Sequence, residues 1–157
     1  MLRELARCYQ ALEAYSGAHV RSLGLTPAQF DIVATLGNTP GMSFKELGEK
    51  TLITKGTLTG VVDRLEAQRL VQRSASPEDG RSMIVSLTPA GARLFGQAFA
   101  AHLAHLRLAL GGLSPAQLQR FEASLRSLRE AFEAAPAAEP SPAAAGRSRT
   151  RRTGKQE

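Results

Sequence analysis

From Thr54 to Arg64 the chain reads Thr-Lys-Gly-Thr-Leu-Thr-Gly-Val-Val-Asp-Arg. Wound as a helix, this run puts Leu58, Val61, Val62 and Leu65 on one inward face. Thr54, Lys55, Gly56, Thr57, Thr59 and Gly60 then lie outward near the helix start, with Asp63 and Arg64 one turn on. Hydroxyls, the free N–H groups of a helix start and a lysine are donors to anionic oxygen, and small residues let the helix approach its partner closely. The same threonines and glycines also serve as ordinary capping residues. A second group follows. The apolar runs Leu70-Val71 and Met83-Ile84-Val85 flank Ser76-Pro77-Glu78-Asp79-Gly80, whose proline and Asp-Gly pair favour a tight reversal. The predicted β-hairpin carries Arg73, Arg81 and Ser82, and arginine suits a narrow groove or its phosphates. Asp79 cannot attract phosphate, so it is expected to hold the loop or orient a neighbouring arginine. A hairpin tipped with arginine after two short helices is a wing, and it points to double-stranded DNA.

The elements that must carry these residues announce their own boundaries. Thr26-Pro27-Ala28-Gln29, Thr88-Pro89-Ala90-Gly91 and Ser114-Pro115-Ala116-Gln117 each place a hydroxyl at the N-cap and proline at the first helical position. Gln29 and Gln117 complete capping boxes, and Ser43-Phe44-Lys45-Glu46 is another. The spacing predicts helices over 2–23, 27–37, 44–51, 55–68, 89–110 and 115–134, with the two hairpin strands after the fourth. Helix one has a stripe at Leu2, Leu5, Tyr9, Leu12, Ser16, His19 and Leu23, and helix five one at positions 95, 99, 103, 106 and 110. Leu118, Phe121, Leu125, Leu128 and Phe132 repeat at heptad-like spacing in helix six. The expected fold is mainly α with a small β-hairpin wing, a winged helix-turn-helix dimerised through its N- and C-terminal helices. Segments 1–25 and 89–135 are the expected dimerisation helices around a DNA-binding lobe at 26–88. From 136 to 157 alanine, proline, serine, glycine and arginine dominate, and a disordered basic tail is expected.

Charge and composition agree with this. The 157 residues carry a net charge of +6. Half of that excess comes from Arg147, Arg149, Arg151, Arg152 and Lys155 set against Glu139 and Glu157, so the rest is only mildly basic. One cysteine, Cys8, precludes an internal disulfide and fits a reducing cytoplasm. No long uncharged apolar run or signal-peptide pattern is found, so a soluble cytoplasmic protein without a membrane partner is expected. No phosphate-cradling glycine loop, catalytic triad or paired metal motif stands in the sequence, and neither enzymatic activity nor a cofactor is expected. His102 and His105 share a helix face, but two histidines without a third ligand do not make a metal site.

Leu25-Thr-Pro-Ala-Gln-Phe30, Leu47-Gly48-Glu49-Lys50, Thr57-Leu58-Thr59, Val62-Asp63-Arg64-Leu65-Glu66 and Asp79-Gly80-Arg81-Ser82 with Val85-Ser-Leu-Thr-Pro-Ala-Gly91 together resemble the MarR family of bacterial transcriptional regulators. The resemblance covers about residues 2 to 134, and Asp-x-Arg…Leu-Thr-x-x-Gly is its most distinctive part. It implies a homodimer that binds a palindromic DNA operator, usually as a repressor, and releases it on meeting a small molecule or an oxidant. Arg81 matches the family's wing arginine, and Thr54 to Arg64 match its recognition helix. Two positions depart from the pattern: Gly60 stands where a long basic side chain is frequent, and Arg69 where glycine usually precedes the first wing strand. Arg69 is strained if its backbone needs positive φ.

The resemblance also implies an effector pocket lined by helices one, two and five, for a small aromatic or phenolic ligand. Tyr9, Tyr15, His19, Phe30, Phe95, Phe99 and His102 are its candidates, and the same aromatics could equally be core. Cys8, beside Arg7, is either an oxidant-sensing thiol or a plain core or interface residue. A nonspecific or architectural DNA-binding role, aided by the basic tail, is the remaining alternative.

Overall fold

The computed structural model describes residues 1–51, 53–77 and 82–136, and of Lys55 the backbone alone. Asp79, Arg81 and the tail from residue 137 lie outside the described residues. The element order is α1 (Leu2–Ser22), α2 (Pro27–Leu36), β1 (Met42–Ser43), α3 (Phe44–Lys50), α4 (Lys55–Ala67), β2 (Val71–Ala75), β3 (Met83–Leu87), α5 (Pro89–Leu110) and α6 (Pro115–Ala134). The chain divides into two units, one running Met1–Gly112 and the other from Leu113 on.

The expected helix starts form as their chemistry requires. Thr26, Ser43 and Ser114 each accept a hydrogen bond from the third helical N–H, while Gln29, Glu46 and Gln117 return one to the cap amide. At Ser43 the backbone amide and then the hydroxyl hold the Glu46 carboxyl below its ordinary range. The wing strands β2 and β3 pair antiparallel from Val71 opposite Leu87 to Ala75 opposite Met83. The sheet has a third strand that the sequence reading did not anticipate. β1 adds Met42 opposite Val85 and Ser43 opposite Ile84, giving the order β1-β3-β2. Two residues are too few to show a period-two pattern, so nothing in the sequence marks them as strand. Gly41 leads in at φ 111, where a Cβ would collide with the Val85 carbonyl.

The principal core lies among α2, α3, α4 and the sheet. Leu58, Val61, Val62 and Leu65 of α4 meet Ile32, Val33 and Leu36 of α2, Leu47 of α3, and Val71 and Val85 of the sheet, all buried. Burying each such side chain contributes about 1.5–3 kcal/mol, which makes α4's inward face its anchor. A smaller core of Val20, Leu25 and Ala98, with Phe30 and Leu94 against it, joins α1 and α5 to this lobe.

The start of α5 accounts for the Leu-Thr-x-x-Gly signature. Thr88 accepts from the Gly91 amide and donates its hydroxyl to the Arg69 carbonyl at 2.7 Å. Gly91 lies so close to the Leu70 carbonyl that a Cβ has no room. The wing and α5 are thereby locked at one point.

The buried faces of α1 and α5 differ from the expected stripes. In α1, Leu2, Leu5, Tyr9 and Leu12 are exposed, while Gly17 and Val20 are buried. In α5, Gly91, Ala98 and His102 are buried and Phe99, Leu103 and Leu110 are exposed. Ser16, His19 and Leu23 of the expected α1 stripe reach this contact, where Ala98 and His102 meet them, while the N-terminal part of the stripe stays exposed. Helix α6 buries no residue, and its Leu118, Phe121, Leu125 and Phe132 are exposed.

Candidate nucleic-acid interface

Helix α4 is held by its apolar face, which leaves the opposite side of its first turns free of internal duties. Thr54 is the N-cap, but its hydroxyl bonds to the Thr57 hydroxyl at 3.0 Å rather than capping a backbone amide. Thr54, Gly56, Thr57, Thr59, Gly60 and Arg64 are all exposed. A Cβ added at Gly56 would meet nothing within 4 Å, and one at Gly60 only the end of Arg64 at 3.9 Å. Neither glycine is needed to fit the chain to itself. Arg64 donates its Nε to the Gly60 carbonyl at 2.9 Å and so lies back along the exposed face. The result is a thin, small-residue helix start whose first N–H groups, as at any helix N-terminus, have no intrahelical acceptor, which suits an anionic partner.

Arg73 of β2 faces inward to this helix. Its guanidinium bonds Glu66 at 2.9 Å and Asp63 at 2.5 Å, both on α4, and lies 5.3 Å from the centre of the Phe44 ring of α3. Its Nε is buried without a partner among the described residues. Arg73 thus ties the wing, α4 and α3 together, with its terminal nitrogens bonded within the lobe. Asp63 and Glu66 are the partners that the sequence reading did not assign. The i, i+3 spacing of two carboxylates on α4 was visible, but which strand residue would cross to them was not. Ser82 immediately precedes β3, and its carbonyl accepts from the Ser76 amide at 2.8 Å.

Arg69 adopts φ 58. Its amide bonds to the Glu66 carbonyl and that of Leu70 to the Leu65 carbonyl, the Schellman ending in which glycine is usual. Helix α1 ends with the same pair of bonds around Gly24 at φ 81.

A cavity of about 530 Å³ opens between α1, α2 and the start of α4, with Leu106 of α5 at its edge. Tyr9, Leu12, Phe30 and Ile53 supply apolar walls, Ser16 a hydroxyl, and Glu13 and Asp31 carboxylates. Thr54 and Thr57 complete it, so one wall of the cavity is the first turn of α4 itself.

The chain was compared with known proteins. The family model described as MarR family matches residues 23–82. HTH-type transcriptional regulator MhqR of Bacillus subtilis is 30% identical over 115 residues, spanning 73% of this chain and 79% of that protein. This chain belongs to the MarR family of transcriptional regulators. The structure of Bordetella bronchiseptica BpsR, whose DNA binding is regulated by 6-hydroxynicotinic acid, superposes with a TM-score of 0.73 at 30% identity, covering 81% of this chain and 91% of BpsR. The homoprotocatechuate degradative operon repressor of Escherichia coli is 33% identical over 94 residues, 60% of this chain and 64% of that one. Among the described residues no helix is long and apolar enough to cross a membrane.

On this MarR scaffold the effector candidates divide into three groups. Tyr9 and Phe30 line the cavity. Tyr15, His19 and His102 meet instead in a stack between α1 and α5, and Phe95 and Phe99 pack on each other at 5.1 Å. Glu13, Asp31 and Ile53 of the cavity carried no sequence signal, and Ser16 only a place in the α1 stripe, because residues of two helices and a loop converge only once those elements pack. Cys8 is exposed on α1.

Proposed function

We propose that this MarR-family protein is an operator-specific repressor that binds double-stranded DNA as a homodimer and is released by a small aromatic or phenolic ligand. The observation that carries the reading is the double use of one helical turn. Thr54 and Thr57 belong both to the outward face of α4 and to the cavity wall. A ligand that fills the cavity therefore presses on the residues that meet the major groove, and a volume of about 530 Å³ suits a small-molecule site. The names of two relatives point the same way. BpsR responds to 6-hydroxynicotinic acid, and the Escherichia coli relative represses a homoprotocatechuate degradative operon.

In this reading Thr54, Lys55, Gly56, Thr57, Thr59, Gly60 and Arg64 approach the major groove, with Gly56 and Gly60 allowing close contact. Arg81 at the wing meets the minor groove or its phosphates, Asp79 serves to hold the loop or orient a neighbouring arginine, and Ser82 is a further contact. Segment 26–88 is the DNA-binding lobe, and 1–25 with 89–135 supply the dimer contacts. The exposed apolar faces of α1 and α6 support the latter, since such stripes need a partner and a second copy presents the same ones. The tail from 136 adds salt-sensitive, sequence-independent attraction.

Selection of bound duplexes from a random pool at near-physiological salt tests the proposal. Recovery of a two-fold-symmetric site is expected. Recovery of no motif, with binding that collapses as salt rises, would instead mark a nonspecific binder. On the selected duplex, Arg81→Ala is expected to weaken binding by about tenfold to hundredfold while leaving the dimer intact in sedimentation, the size typical of a lost groove arginine.

A further inference from the structure

All three histidines of the chain, His19, His102 and His105, meet at the contact of α1 with α5. His19 Nδ1 lies 3.2 Å from His102 Nδ1, so one of these nitrogens carries the shared hydrogen and the other accepts it. His102 Nε2 is 3.2 Å from the Ser16 hydroxyl. His19 stacks on His105 with ring centres 4.1 Å apart, and Tyr15 stacks on His105 at the same distance. The Tyr15 hydroxyl closes the group by donating to the His105 carbonyl at 3.0 Å. From α2 the uncharged Phe30 ring meets His102 edge-on at 4.7 Å.

The proton count of this cluster is restrictive. The Nδ1 pair accepts one proton without disruption, since a cationic His19 can still donate to a neutral His102. A second proton puts N–H against N–H and adds a like charge beside the first, which breaks the contact. The titratable groups facing His102 are imidazoles, His19 from α1 and His105 from α5, and neither supplies an anion to hold a cation in place. Glu13 and Asp31, the carboxylates of α1 and α2 nearby in the fold, line the cavity. Burial, then His19 and His105, hold the His102 imidazole below the ordinary histidine value. Its contribution to the α1–α5 contact is therefore complete above about pH 6.5 and is lost as pH falls through that value toward the lowered one.

Two residues connect the cluster to the cavity. Ser16 and Phe30 both touch His102 and both line the cavity wall. Resting on the DNA-binding reading above, we propose that the three histidines form a proton-operated latch between α1 and α5, closed while the His19–His102 pair holds at most one added proton and opened by the second, that sets the shape of the cavity and with it the affinity for DNA. The position of Ser16 and Phe30 makes acid and cavity ligand act on the same wall.

The full chain is titrated against the selected duplex by fluorescence anisotropy from about pH 8 to about pH 5.5, with the melting midpoint followed in parallel. No histidine lies elsewhere in the chain, so the His→Gln variants assign the slope below about pH 7 to this cluster. The wild type is expected to hold its affinity above about pH 6.5 and to lose roughly several-fold on going down to about pH 5.5. His102→Gln, and independently the less buried His19→Gln, should flatten both the affinity and the melting profiles. A wild-type affinity that stays level while the duplex is bound at high pH overturns the latch, as does a folded variant that keeps the full slope. Failure to bind any duplex at pH 8 counts against the proposed function instead. The latch then stands only if the wild-type melting midpoint drops on acidification and that of a variant does not.

Discussion

Arg73 illustrates how a side chain can be legible in the sequence while its partners are not. An arginine on a predicted wing strand suits phosphate, yet in the fold its two terminal nitrogens bond Asp63 and Glu66. Asp63 and Glu66 are themselves partly exposed, which screens the pairing. Arg73→Ala is expected to lower the unfolding free energy by about 1–2 kcal/mol, from the lost pairing and the carboxylates left behind. Its effect on DNA has a particular signature. A residue that positions the wing changes affinity without altering the slope of log affinity against log salt, whereas loss of a phosphate contact reduces that slope by about one. We expect the slope to be unchanged, and lysine at 73 to restore only part of the loss because it cannot fork to two carboxylates.

The elements follow local chemistry closely where that chemistry is strong. Capping boxes at Thr26, Ser43 and Ser114 set helix starts within the residues that carry them. The end of α4 is where local preference was overruled. Arg69 takes the left-handed conformation because Leu70 must turn into the core edge and the Schellman bonds must close. A Cβ there costs about 1 kcal/mol, partly offset by glycine's greater freedom in the unfolded chain. Arg69→Gly should therefore raise the urea midpoint, by about 0.5 kcal/mol in unfolding free energy, with the m-value unchanged. The stripes of α1 and α5 show the opposite case. Periodicity identified both helices, and Ser16, His19 and Leu23 of the α1 stripe reach the contact, but on α5 it is met by Ala98 and His102, residues with little apolar signal.

At the scale of the molecule, the exposed Phe121 and Leu125 of α6 and Leu5 and Leu12 of α1 are the surfaces proposed to meet a second copy. Placing charge there tests this directly. The double substitution Phe121→Asp with Leu125→Asp should convert a dimeric sedimentation profile to the monomer mass. Affinity for a symmetric duplex should fall by on the order of hundredfold, because each lobe then binds without the second tethered to it. A dimer that persists would place the contact elsewhere.

The amino-acid sequence by itself determined the helices, the two wing strands, the inward and outward faces of α4 and the family, because caps, periodicity and turn residues act over a few neighbouring positions. Only the tertiary structure decided which distant groups meet. It brought Arg73 to Asp63 and Glu66, recruited Met42 and Ser43 into the sheet, built a cavity on the first turn of α4, and gathered three histidines from two helices. Each of these joins residues far apart in the chain through packing, and packing leaves no short-range pattern for periodicity to reveal.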